Sequence, residues 1–288
     1  MIMNKSNRIL VLIVIIIFVF CSFFTMSACQ NEEQTDNFEY EISELFVKNG
    51  DKDIYGKLYL PIYESDRKPL VILAHSANLN SDSLSKYAVE FAKRGFIAYA
   101  FDFCGGSSNS RSGGSRADMT VFSECDDLQA VIDVMTKFEY VEKNSVYLFG
   151  TSMGGLVCAL TAEKNACVKG EILLYPAFNI PEIVSDFSGF GNVLFNTYGQ
   201  AFCDTLKDFD AYDNIGEFGG NVLIIHGSND FIVNSSYSQR AANKYERCTL
   251  QIIENAGHGF NRDNYSIGGD YDDEVWRFID EYFTQEMR

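Results

Sequence analysis

Two kinds of hydrophobic pattern divide the chain. From Phe38 to Leu60 apolar and polar positions alternate on either side of Asn49-Gly50-Asp51, which predicts an antiparallel hairpin at the edge of a sheet. After Pro69 the alternation gives way to short, continuously apolar runs: Leu70 to Ala74, Phe96 to Phe101, Val146 to Phe149, Glu171 to Tyr175 and Val222 to Ile225. A run apolar at successive positions has both faces buried, as strands of a parallel sheet do.

Amphipathic segments fall between these runs and predict helices over Ser83–Arg94, Thr120–Lys137, Met153–Lys164, Ser236–Tyr245 and Asp272–Glu286. Strand and helix in alternation imply right-handed crossovers, hence an α/β fold with a doubly wound, mostly parallel sheet. No period of 20 to 50 residues recurs, which argues against a solenoid.

One stretch breaks the rhythm. Between Pro176 and Gly219 no buried-strand run occurs, and the segment is rich in Phe, Asp and Gly, with Phe187, Phe190, Phe195, Tyr198 and Phe202. Ligands of open α/β sheets bind beyond the carboxyl ends of the strands, so an insertion here, at about residues 177–219, is expected to form a lid.

The first 28 residues are set apart from the fold. Lys5 and Arg8 precede an uncharged apolar run from Ile9 to Phe24, shorter than the roughly 20 residues of a spanning helix and fitting the core of an export signal. Thr25-Met26-Ser27-Ala28-Cys29 follows and resembles a lipoprotein processing site, although Met26 stands where Leu is usual. The expectation is cleavage before Cys29, lipidation of that cysteine, and a tether over 29–37 leading to a single domain over 38–288. An uncleaved anchor helix is the alternative. Both place the protein outside the cytoplasm and on a membrane.

Charge narrows the partners. The formal net charge is −17, and it becomes more negative without Lys5 and Arg8. Such a surface repels phosphate backbones and excludes a general nucleic-acid binder. Cys104, Cys125, Cys158, Cys167, Cys203 and Cys248 show neither CxxC nor Cys/His metal spacing, and Cys125 and Cys158 fall on apolar helix faces, where buried free thiols are expected.

Gly150-Thr151-Ser152-Met153-Gly154-Gly155 lies between the apolar run ending at Phe149 and a helical segment. This is the G-x-S-x-G nucleophile elbow in its strand-turn-helix context, where the backbone is too crowded for side chains two residues either side of the serine. In isolation the pattern is common, and a serine capping a helix would also fit it.

A serine hydroxyl needs a base, and histidine titrates in the right range. Of three histidines, His75 and His226 each end a strand, where structural hydrogen bonding is common. His258 sits in the glycine-flanked loop Asn255-Ala256-Gly257-His258-Gly259-Phe260, after the strand Thr249–Ile253. It also follows both the serine and an acid, the order Ser, Asp, His of this architecture. Asp230, directly after the run Val222–Ile225, is the expected acid, fixing the imidazole tautomer. Asp102 is its rival, but precedes the serine and fits a loop brace. The Met153 amide at the helix N-terminus and the Ala77 amide after the first parallel strand are the expected oxyanion donors.

Together with Phe101-Asp102-Phe103-Cys104-Gly105-Gly106-Ser107-Ser108, Asp118-Met119-Thr120-Val121, Asp126-Asp127-Leu128 and Tyr175-Pro176-Ala177-Phe178, these residues resemble the cinnamoyl and feruloyl esterase-like branch of the α/β-hydrolases, over roughly Tyr40 to the C-terminus. They are also similar to the serine aminopeptidase-like hydrolases. The resemblance implies hydrolysis of a carboxylic ester through an acyl-enzyme, without metal or cofactor. The chain departs from that pattern at His75-Ser76-Ala77, where His-Gly-aromatic is usual. Ser76 restricts the backbone and Ala77 removes a ring that would line the acyl pocket.

Three functions compete at this level. The first is an esterase for small aromatic or short acyl esters; the second is a peptidase or amidase of the same fold, which uses the same type of intermediate. The third is a non-catalytic lipoprotein that binds a ligand in a hydrolase-like pocket, against which the intact Ser152, Asp230 and His258 argue.

Overall fold

The computed structural model describes residues 37–286 except 66, 186–192, 194, 195 and 264–268. The expected leader and Cys29 therefore lie outside the described residues, as do Phe187, Phe190 and Phe195. Eight strands form one sheet: β1 (Glu39–Asn49), β2 (Lys52–Ile62), β3 (Lys68–Ala74), β4 (Ile97–Phe101), β5 (Val141–Thr151), β6 (Val168–Leu174), β7 (Asn221–Gly227) and β8 (Cys248–Ile253). Their order is β1-β2-β4-β3-β5-β6-β7-β8. β1 and β2 pair antiparallel, as does β2 with β4, and every pairing from β4 onward is parallel. The edge hairpin and the parallel body follow the two hydrophobic patterns of the sequence.

Why the apolar runs are continuous is visible in the packing. Leu70, Ile72 and Ala74 of β3 face one core, with Val146 and Leu148 of β5. Val71 and Leu73 face the other, with Tyr147 and Phe149. Helices α2 (Val121–Met135), α3 (Met153–Ala162) and α6 (Ser235–Ala242) cover the first face, contributing Leu128, Val131, Leu156 and Ala241. Helices α1 (Ser85–Lys93) and α7 (Asp272–Glu286) cover the second, through Tyr87, Phe91, Val275 and Ile279. A strand alternates its side chains between faces, and here both faces are dry.

Strand β5 begins earlier than expected, at Val141 rather than Val146. Glu142, Lys143 and Asn144 are polar and leave no hydrophobic signal, yet Val141 pairs with Lys68 before a register shift leads into the Leu70–Val146 pairing.

The segment after β6 contains the short helices α4 (Ile180–Ser185) and α5 (Gln200–Leu206). Tyr198 and Phe202 within it are buried in the first core and stack tilted on each other at 4.8 Å. Cys158 is buried as expected, whereas Cys125 is only partly so; both are free, as are the other described cysteines. Among the described residues no helix is long and apolar enough to cross a membrane.

Candidate active site

The carboxyl ends of β3, β5, β7 and β8 carry the expected site residues. Ser152 follows β5 at φ 50°, ψ −116°, a backbone region of high cost for a side-chain-bearing residue. Its neighbours hold it there. The Ser152 amide donates to the Leu174 carbonyl of β6 at 3.0 Å, and its carbonyl accepts from Ala177 at 2.9 Å and from Gly155 at 2.9 Å.

The glycines explain themselves sterically. A Cβ on Gly150 would overlap the carbonyl oxygen of Gly154, and one on Gly154 would overlap the carbonyl oxygens of Ala74 and His75. The elbow is thus pressed against the end of β3, which places the His75-Ser76-Ala77 loop beside the N-terminus of α3. Met153 is the first residue of that helix, and the first amides of a helix have no intrahelical partner.

On the far side, the loops after β7 and β8 are laced together. Ser228 donates to the Ile253 carbonyl and Asn229 to that of Ala256, each at 2.9 Å. A Cβ on Gly227 would overlap the Ala256 carbonyl oxygen. This lacing sets Asp230 against His258: His258 Nδ1 lies 2.7 Å from Asp230 Oδ2. The other carboxylate oxygen, Oδ1, accepts from the Ile232 and Val233 amides at 2.9 and 2.8 Å. Burial opposes ionisation of Asp230, but hydrogen bonds from His226 and His258, the nearby imidazole charge and the Val233 amide outweigh it and hold its carboxyl well below the usual carboxylate range.

Two groups support this pair. The His226 ring is fully buried; its Nε2 faces Asp230 Oδ2 at 3.1 Å and the Val233 carbonyl at 2.8 Å, and its Nδ1 faces the Ser238 hydroxyl at 2.7 Å. Two acceptors at Nε2 place a proton there. The Tyr175 ring meets the His258 imidazole edge-on at 4.6 Å, from a backbone of φ 38°.

The sequence marks His226 only as a strand-end histidine, and hydrogen bonding does hold it as expected. What the sequence leaves out is that its partner is the acid itself, four residues on. Tyr175 enters the sequence reading only as the end of an apolar run and within Tyr175-Pro176-Ala177-Phe178, without a role for its ring.

The remaining candidates are placed as loop braces. Asp102 accepts from the amides of Ser81 and Arg111 at 2.8 Å each, and from the Arg111 guanidinium at 3.0 and 3.1 Å. His75 Nε2 accepts from the Phe103 amide at 3.1 Å and its Nδ1 lies 2.8 Å from the Ser76 carbonyl. Burial pushes the His75 imidazole down, so the ring is neutral. Among the described residues no group of three or more His, Cys, Asp or Glu side chains is arranged to hold a metal ion.

This geometry resembles known proteins. The family described as Serine aminopeptidase, S33 matches residues 65–207, a span that contains Ser152 but stops before Asp230 and His258. No curated protein sequence matches the chain. Among solved structures, Est1E from Butyrivibrio proteoclasticus with bound ferulic acid is 20% identical with a TM-score of 0.71, covering 85% of this chain and 100% of its own. The α/β hydrolase GrgF from Penicillium sp. sh18 is 16% identical with a TM-score of 0.68, covering 84% of this chain and 97% of its own. With an eight-stranded, mostly parallel sheet, helices on both faces and a sharp strand-turn-helix at Ser152 after β5, the chain has the α/β-hydrolase fold.

Proposed function

We propose that this hydrolase cleaves carboxylic esters through an acyl-enzyme, with Ser152 as nucleophile, His258 as general base and Asp230 as the orienting acid. The observation that carries the reading is the strained Ser152 backbone at the start of α3. Backbone strain of this kind, held by the surrounding hydrogen bonds, clusters at functional sites.

With Nδ1 engaged on Asp230, His258 presents Nε2 as a proton acceptor. Ser152 Oγ forms a bond to the acyl carbon while its proton passes to Nε2, and the carbonyl electron pair moves onto oxygen. The amides of Met153 and Ala77 stabilise that oxyanion. Collapse expels the alkoxide, which takes the proton back from His258, and water then repeats the cycle on the acyl-enzyme, releasing the acid.

For substrate we propose small aromatic or short acyl esters. The motifs of the elbow and its neighbouring loops support this, as does the ferulic acid bound to Est1E. We also propose that the segment from about residue 177 to 219 acts as a lid, since it follows directly from the strand beside the elbow.

Rates on p-nitrophenyl esters and methyl ferulate, set against aminoacyl anilides, test the esterase reading. Faster cleavage of the anilides would favour the peptidase reading, to which the family match points. Fluorophosphonate labelling that is lost in Ser152→Ala is expected; a wild-type protein that takes no label would leave only the ligand-binding reading.

The export proposal, lipidation at Cys29 and a tether to the membrane, rests on residues 1–29 alone. Cys29→Ala is expected to block processing or release the protein from membranes. A variant that remains bound with residues 1–28 attached would favour the anchor helix.

A further inference from the structure

Where the related pattern has glycine, this chain has Ser76, and its side chain is not idle. Ser76 Oγ lies 2.9 Å from Thr151 Oγ1 and 3.3 Å from the Thr151 carbonyl oxygen, with both residues buried. Thr151 ends β5, and its carbonyl belongs to the peptide bond that enters Ser152. The two hydroxyls therefore join the β3 loop to the elbow across 75 positions of sequence.

The other end of the Ser76 residue is also fixed. His75 Nε2 accepts the Phe103 amide, so the proton of the neutral ring is on Nδ1, which donates to the Ser76 carbonyl at 2.8 Å. The Leu79 amide donates to the same carbonyl at 3.2 Å. Among the described residues all peptide bonds are trans, and in a trans peptide the N–H points opposite to the preceding C=O. Holding the Ser76 carbonyl toward His75 thus aims the Ala77 amide away from it.

We propose that Ser76 is a positioning residue of the oxyanion hole, its hydroxyl tie to Thr151 holding the Ala77 amide in register with the Met153 amide. The proposal rests on the esterase reading above. The tie ends one residue from Ala77 and two from Met153, so it joins the two segments that carry the donors. Hydrogen bonds in a buried site are strong and costly to leave unmade, and catalytic donors tolerate little misplacement. A glycine at position 76 could make no such tie.

The test uses the full chain with Ser76→Ala, Thr151→Val and the double variant. The Thr151→Val change keeps the side-chain shape and removes the partner hydroxyl, so either side of the tie can be cut. Turnover and KM on p-nitrophenyl acetate are read together with inhibition by an aryl trifluoromethyl ketone, which forms a tetrahedral adduct at the serine, and with the melting temperature. Each single change is expected to lower kcat and weaken ketone inhibition by about 10-fold, less than deletion of a whole donor, with KM within about twofold. The double variant is expected to lose no more than either single one, because the two cut the same tie. Ser76→Thr, which retains a hydroxyl, is expected to recover most of the turnover.

Unchanged kcat in a folded Ser76→Ala or Thr151→Val protein would overturn the proposal. So would losses that multiply in the double variant, or turnover losses that follow melting temperature while ketone inhibition stays constant. A wild-type protein without ester turnover or fluorophosphonate labelling would instead overturn the esterase reading on which the proposal stands.

Discussion

His226 reaches Asp230 from inside the protein, Nε2 to Oδ2 at 3.1 Å, on the same oxygen that receives His258 from the solvent side at 2.7 Å. The inner histidine thereby limits how the carboxylate can rotate. His226→Ala would leave the Ser238 hydroxyl and the Val233 carbonyl without their partner, at about 1–3 kcal/mol for each buried group left unpaired. The expected result is a lower melting temperature and a turnover reduced roughly tenfold, within the range ascribed to supporting residues of a site. His226→Gln, which can donate from a similar position, is expected to recover part of both. Equal turnover in wild type and His226→Ala would show that the two amides on Oδ1 suffice to orient Asp230.

Asp230→Asn keeps the shape of the side chain but inverts the hydrogen-bond requirement at His258. In a comparable triad this costs on the order of 10⁴ in turnover, and a similar loss is expected in ester assays here. The linked effect on stability has a definite sign. The folded carboxyl titrates below its unfolded value, so its contribution is fully present above about pH 4, where a free aspartate is ionised, and is lost as pH falls below that. The wild-type melting temperature should therefore drop more steeply below pH 4 than that of Asp230→Asn. Parallel acid profiles would contradict this.

Glu171 gives the opposite slope. It lies in β6, fully buried, with neither carboxylate oxygen paired; burial, with Glu163 nearby, pushes its carboxyl up to about 8. The folded state then holds a proton that the unfolded chain releases near its ordinary value of 4.5. Stability consequently falls as pH rises from that value to about 8, and levels off above. Glu171→Gln removes the titration, and its melting temperature should gain on wild type progressively across this window. A constant difference between pH 5 and 8 would contradict the shift.

Gly154 and Gly219 make a matched pair of tests. A Cβ at Gly154 would overlap backbone oxygens of β3, which cannot swing aside, whereas one at Gly219 meets nothing within 4 Å. Gly154→Ala is expected to cost about 1–3 kcal/mol or more and to lose ester turnover, because the elbow must move away from the oxyanion loop. Gly219→Ala should change the melting temperature little and leave turnover intact. Equal behaviour of the two variants would show that the elbow can yield.

Phe202 tests the lid. The ring, part of this segment, is fully buried in the first core, so Phe202→Ala is expected to cost about 3–5 kcal/mol. If the segment also shapes the acyl pocket, the ratio of rates on short-chain and aromatic esters should change as well, since pocket fit discriminates by about 10- to 200-fold per methylene. A folded variant with an unchanged ratio would remove this segment from the pocket.

Much of the fold is local information. The runs Leu70–Ala74 and Val222–Ile225 are apolar at every position because both faces of each strand are buried, and that requirement is written residue by residue. The same holds for the elbow, where Gly150 and Gly154 are demanded by atoms a few positions away and by the end of β3. The glycine-flanked loop and chain order together prefer His258 over His75 and His226, and the structure sets His258 on Asp230.

What the tertiary structure decided is which polar side chains meet. Ser76 stands in the sequence as a departure from a glycine, with a cost in backbone freedom. Only the adjacency of β3 and β5, in the order β4-β3-β5, brings its hydroxyl to Thr151. In the same way, the lacing of the loops after β7 and β8 makes His226 and His258 partners of one carboxylate oxygen. Hydrophobic periodicity reports whether a position faces water or core, a property of each residue by itself. A hydrogen bond between distant side chains depends on strand order and register, and these are set by the packing of the whole sheet.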